Sequence, residues 1–134
     1  MMTQTGGCLC GGIRYEIHAE PLLSAVCHCR HCQRQSGAAF SVVSAFPASA
    51  YMQTGVTRIF ADKGDSGKSV ARHFCPDCGS PIASVAEAIP DVVLIKAASL
   101  DAFADILPTA EVYCDNALPW LPALTSTRFP RSNI

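Results

Sequence analysis

The sequence predicts a mainly β domain of short antiparallel strands. Short stretches alternate apolar and polar residues, which is the period of a half-buried strand. Gly, Pro and Asp punctuate those stretches at close intervals. No long amphipathic helical pattern runs through the 134 residues.

The elements follow in chain order. Ile13, Tyr15 and Ile17 are apolar with Arg14, Glu16 and His18 between them, a strand with one buried face. Phe40, Val42 and Phe46 share one phase, which Ser44 breaks. Thr57 to Phe60 and Lys68 to Phe74 flank the polar segment Asp62-Lys63-Gly64-Asp65-Ser66-Gly67, so they read as a hairpin. Pro81 to Val85, Val92 to Ala97 and Ala110 to Cys114 follow as three further strands. Pro47 to Met52 and Asp101 to Ile106 read as short helical turns, and the prolines at 108, 119, 122 and 130 suit turns and an irregular tail. With no linker, repeat or low-complexity tract, residues 1–134 are expected to form one domain.

Composition narrows the function. Hydrophobic residues make up 49% and charged residues 16%, enough for a packed core and unlike a disordered chain. Ten basic and eleven acidic residues give a formal charge of −1, which argues against a nucleic-acid surface. The longest strictly apolar run, Val92 to Ile95, is far short of the roughly 20 residues that span a bilayer. Met1 to Gly12 lacks a basic residue and an apolar stretch of the kind a secretory signal carries, so a cytoplasmic location is expected. Thiols stay reduced there, which makes the eight cysteines the informative feature.

Seven of them fall into three clusters: Cys8-Leu9-Cys10, Cys27-His28-Cys29-Arg30-His31-Cys32 and Cys75-Pro76-Asp77-Cys78. Zn²⁺ favours a tetrahedron of thiolates with neighbouring sulfurs about 3.8 Å apart. Cys75 and Cys78, followed by Gly79, form a tight zinc knuckle. Cys8 and Cys10 at i, i+2 project to one face if their segment is extended. Neither pair completes a tetrahedron, but together they make a four-thiolate structural site joining the start of the chain to its middle. Disulfides or iron are the alternatives for this set.

The middle cluster supplies three sulfurs, Cys27, Cys29 and Cys32, within six residues. Three protein ligands and one open position are the pattern of a catalytic zinc, which can polarise a carbonyl or hold a bound thiol as thiolate. Two alternatives stay open: a second closed site completed by His28, His31 or Cys114, and a redox dithiol. Seven ligating thiolates and two Zn²⁺ would bring the chain to roughly −4 rather than −1. His28, Arg30, His31 and Arg34 crowd this cluster alone, where they could offset its charge or attract an anionic substrate. Elsewhere Cys114 reads as a buried unreactive thiol in a strand, and His18 and His73 as strand-face residues. Trp120 reads as a packing anchor, with a place on a pocket rim as the alternative.

Gly7-Cys8-Leu9-Cys10-Gly11, the middle cluster with Ser36-Gly37-Ala38, and Phe74-Cys75-Pro76-Asp77-Cys78-Gly79-Ser80-Pro81-Ile82 resemble the glutathione-dependent formaldehyde-activating enzyme family, which also contains centromere protein V. Ser99-Leu100-Asp101 and Trp120 match weaker features, and the resemblance covers nearly the whole chain. It implies a β-tent fold with two zinc ions per chain. Cys8, Cys10, Cys75 and Cys78 would be the structural ligands, and Cys27, Cys29 and Cys32 the catalytic ones. It also implies reversible condensation of glutathione with formaldehyde to S-(hydroxymethyl)glutathione, a carbon–sulfur lyase reaction. Arg30, Arg34 and Arg72 are the candidates for the tripeptide's carboxylates, and His28 or His31 for moving the proton. The chain carries no basic extension of the kind attributed to the centromere-type members. A non-catalytic thiol-adduct or zinc-binding module and a structural protein with two closed sites are the rival readings. The oligomeric state is open, with a homodimer as one option.

Overall fold

A computed structural model describes residues 3–132. It is mainly β, as the alternation predicts, with two sheets. Strands β1 (Gln4–Gly7), β2 (Arg14–Ile17) and β5 (Tyr51–Thr54) form a small antiparallel sheet in the order β1-β2-β5. The larger sheet has β3 (Leu23–Cys27), β4 (Ser41–Pro47), β6 (Arg58–Lys63), β7 (Ser69–Phe74), β8 (Pro81–Ala86), β9 (Val92–Lys96) and β10 (Ala110–Val112). Its order is β10-β3-β4-β9-β8-β7-β6. One pair departs from the antiparallel expectation: β10 lies parallel to β3. The chain between β9 and β10 crosses to the far side of β3 and β4, and so arrives in the same sense as β3.

The core forms where the small sheet meets the middle of the large one. Ile13, Tyr15 and Ile17 are 2%, 2% and 0% exposed, so the predicted strand face is the buried one. They share one cluster with Phe46, Ile82, Val93, Ile95 and Leu100. Ser44 breaks the apolar phase of β4 because it meets another polar residue inside: its hydroxyl lies 2.8 Å from that of Ser24, the residue opposite on β3. The loop between β9 and the next turn ties the sheets together. Ser99 Oγ is 2.6 Å from the Tyr15 hydroxyl, and Asp101 accepts from both Arg14 guanidinium ends and from Thr5.

The 58–74 hairpin is present, but its strands run further into the polar segment than its composition suggests. Asp62 pairs with Val70 and Lys63 with Ser69, leaving the turn to residues 64–68. Backbone pairing tolerates charged side chains on an edge strand. The expected turn at Pro47 to Met52 is confined to Ala48–Ala50, since Tyr51 and Met52 already pair with β2. β1 and β3 carry no alternation that would have revealed them.

The helix α1 (Arg30–Ser36) is also absent from the sequence reading. Seven residues are too few for a helical period to register. Its punctuation is nonetheless there: Cys29 caps its start, and Gly37, at φ 68°, donates its N–H to Gln33 O at the end. Ala110 to Cys114 is shorter than expected. Tyr113 takes φ 56°, the left-handed region that ends extension, so Cys114 lies half-buried in the turn Cys114–Asn116 rather than in a strand.

Candidate metal centres

Four thiols meet where the β1–β2 turn faces the β7–β8 turn. Cys8 and Cys10 do not lie in an extended segment. Gly11 N–H donates to Cys8 O at 3.2 Å, and Gly11 takes φ 82°, so the pair closes a turn of its own. Ile13 N–H donates to Cys8 Sγ at 3.2 Å and Gly12 N–H to Cys10 Sγ at 3.4 Å. The second turn is the knuckle its spacing predicts: Gly79 N–H bonds to Cys75 O at 2.9 Å, with Gly79 at φ 79°. The Ser80 hydroxyl joins the two turns, accepting from Leu9 N–H at 3.1 Å and lying 3.2 Å from Cys78 Sγ. Ser80 hydrogen bonds hold the Cys78 thiol down at about 5. Sulfur separations of 3.5 Å for Cys8–Cys10 and 3.7 Å for Cys10–Cys75 fit the roughly 3.8 Å edge of a thiolate tetrahedron around zinc. The four sulfurs lie within 4.8 Å of one another, so the set fits one metal ion.

The second group is built differently. Cys27 ends β3, Cys29 caps α1, and Cys32 sits in its first turn, with Cys32 N–H donating to Cys29 Sγ at 3.2 Å. Their sulfurs also lie within 4.8 Å of one another, and among the described residues no other cysteine, histidine or carboxylate joins them. Cys27 and Cys32 are buried while Cys29 is half-exposed. Contacts with the Cys27 and Cys29 thiols, and then the charges of Lys96 and Arg72, drive the Cys32 thiol far below its usual range. The same sulfur contacts drive Cys27 up.

The two histidines of this segment part company. His28 is fully buried, its Nε2 2.9 Å from Glu111 Oε1. Glu111 Oε2 accepts from the Leu124 and Thr125 amides, the Thr125 hydroxyl and Arg128 Nε. Burial pushes the Glu111 carboxyl up, but the bonds from His28, Thr125 and Leu124 outweigh it and hold it at about 2. His31 stands at the surface with Nδ1 2.7 Å from Asp62 Oδ2, which also accepts from Arg72 Nε at 2.7 Å. Neither histidine enters the three-thiol group, and neither does Cys114.

Arg30, Arg34 and Arg72, nominated separately along the sequence, line one cavity of about 630 Å³ together with His31, Gln35, Phe60 and Asp62. A smaller hollow of about 370 Å³ shares Arg30 and Arg34 and is rimmed by Leu118 and Trp120. Trp120 is 70% exposed, which overturns the packing-anchor reading in favour of the rim. Sequence reasoning missed three residues here. The polar composition around Asp62 points to a loop, although its spacing from Arg58 and Phe60 places all three on one strand face. Glu111 and Lys96 carried no local signal. His18 follows β2, exposed and beside Glu16, so it is not a strand residue, whereas His73 lies on β7 and meets Thr57, just before β6.

Fold and clusters together define a class: a small, mainly β chain organised around two cysteine groups, each able to hold a metal ion. The chain belongs to the family described as glutathione-dependent formaldehyde-activating enzyme, whose family model matches residues 3–116. A crystal structure of a Rhodobacter sphaeroides protein, a structural-genomics target, shares the fold. It is similar with a TM-score of 0.56 and 16% identity over 93% of this chain and 98% of that one. No curated protein matches the chain. No helix among the described residues is long and apolar enough to cross a membrane.

Proposed function

We propose that residues 1–134 act as one cytoplasmic, zinc-dependent enzyme of the carbon–sulfur lyase type. It would join a thiol to an aldehyde and release it again, as in formation of S-(hydroxymethyl)glutathione from glutathione and formaldehyde. The observation that carries this reading is the convergence of Cys27, Cys29 and Cys32 without a fourth ligand among the described residues, beside a cavity lined by three arginines. Cys8, Cys10, Cys75 and Cys78 take the structural role, because as a four-thiol set they clamp two turns far apart in the chain.

A zinc ion on Cys27, Cys29 and Cys32 supplies Lewis acidity and favours a thiolate at neutral pH. The chain's own residues do the rest. Arg30 and Arg34 bind the carboxylates of the thiol and orient its sulfur. Arg72 is held in place by Asp62 and adds positive potential beside the sulfurs. In the forward direction the substrate sulfur bonds to the aldehyde carbon, the carbon–oxygen π bond breaks, and the thiol's proton ends on the new hydroxyl. In this reading His31 moves that proton through Nε2, and the Nδ1 contact with Asp62 supports the assignment by fixing the ring. His28 is sealed inside and does not take part in proton transfer.

The test is exchange spectroscopy on glutathione and formaldehyde with the zinc-loaded protein. Exchange faster than the uncatalysed rate is expected, and Cys29→Ser should return it to that rate while keeping the fold and the four-cysteine metal. A Cys29→Ser protein with full turnover and only one metal would sink the proposal.

A further inference from the structure

We infer that Lys96 gives the three-thiol centre its preference for a negatively charged fourth ligand. The inference rests on the reading of Cys27, Cys29 and Cys32 as a metal centre. Lys96 ends β9 and is only 7% exposed, with Nζ 4.0 Å from Cys32 Sγ. Among the described residues no carboxylate lies within ion-pair distance of it, whereas the neighbouring buried cation Arg72 is matched by Asp62. An ammonium taken out of water needs an anion or it is strongly unfavourable. The thiolate group is the anion the fold provides.

Charge counting gives the consequence. A divalent ion with three thiolates carries −1, and Lys96 brings the buried unit to zero. A thiolate arriving at the open position then meets a neutral centre instead of an anionic one. Without Lys96 the same step would build −2 in a site where Cys27 and Cys32 are 8% and 6% exposed. A neutral fourth ligand is far less sensitive to this charge. The four-cysteine group has less need of such a partner, because Cys10 is exposed and Cys8 and Cys78 are half-exposed, so water screens them. Lys96 touches no substrate in this account. It is a positioning residue whose charge selects the ligand.

Cobalt-substituted full-length protein provides the test, with cobalt–thiolate absorption as the readout. The probes are 2-mercaptoethanol, whose thiolate is its only charge, and imidazole, which binds neutral. Lys96→Met is expected to weaken 2-mercaptoethanol about tenfold or more, in line with one charge lost at close range. Two cobalt ions should remain bound and imidazole affinity should stay unchanged, while Lys96→Arg restores thiol binding. If Lys96→Met does not fold, Lys96→Gln answers the same question with a polar side chain. Unchanged thiol affinity in the neutral variants overturns the inference alone. Equal weakening of both probes, or loss of a cobalt ion, assigns Lys96 a structural role and also overturns it. Wild-type protein that binds no thiol overturns the proposed function and this inference together.

Discussion

His28 and Glu111 form a sealed ion-pair-length contact, Nε2 to Oε1 at 2.9 Å, with 1% and 0% of their side chains exposed. The contact lies between the two halves of the three-thiol segment, since His28 separates Cys27 from Cys29. Through its other oxygen Glu111 holds Leu124, Thr125 and Arg128, so one carboxylate fastens the tail of the chain to the backbone that presents the thiols.

Glu111→Ala should therefore destabilise the protein by about 1–3 kcal/mol for each buried donor left without its acceptor. Urea denaturation measures it. The pH dependence has a definite sign. The Glu111 carboxyl lies at about 2 in the fold, below its ordinary 4.5, so its contribution is complete above that value and disappears as pH falls toward 2. The stability difference between wild type and Glu111→Gln should narrow as pH is lowered from 5 to 3, which lies roughly within that window. A constant difference would place the effect in shape rather than charge.

Ser24 and Ser44 satisfy each other across β3 and β4. Ser44→Ala alone leaves a buried hydroxyl without its partner and should cost about 1–3 kcal/mol. The double change Ser24→Ala with Ser44→Ala should cost less than the sum of the single changes. Thermal melts of the three variants give the coupling, and simple additivity would contradict it.

Gly6 has no room for a side chain. A Cβ there would stand 2.4 Å from both Ser99 O and the Tyr15 hydroxyl. Gly6→Ala should destabilise by about 1–3 kcal/mol, because a backbone oxygen at the join between the two sheets has to move. Calorimetry would show it, whereas a variant with wild-type stability would mean the join is loose.

The two metal sites should respond differently to substitution. Cys75→Ser opens the clamp between the β1–β2 and β7–β8 turns and should cost both a metal ion and the cooperative unfolding transition. Cys29→Ser should cost a metal ion and retain that transition. Metal analysis with circular dichroism separates the outcomes, and equal collapse of both variants would assign both groups a structural role.

Arg34→Ala should raise the half-saturating concentration of an anionic thiol by about tenfold, with the metal count unchanged. Raising the salt concentration should weaken that thiol in wild type more than in the variant. Steady-state turnover across salt concentrations checks this.

The chain's alternating segments, its knuckle at Cys75 to Gly79 and the spacing of seven cysteines determined by themselves a β-rich protein with three local thiol clusters. Those features are local: period, turn chemistry and ligand spacing act within a few residues. Tertiary structure decided the rest. His31 and Cys32 belong to a seven-residue helix too short to show a period, and Cys29 caps it. Lys96, Asp62 and Glu111 reach the three-thiol segment and its flanks from strands 31 to 83 positions away along the chain. β10 comes to lie parallel to β3 because the chain crosses the sheet, which places Glu111 behind His28. A buried charge is stable only where the fold brings its counter-charge, and that pairing depends on strand order, a property no stretch of sequence contains alone.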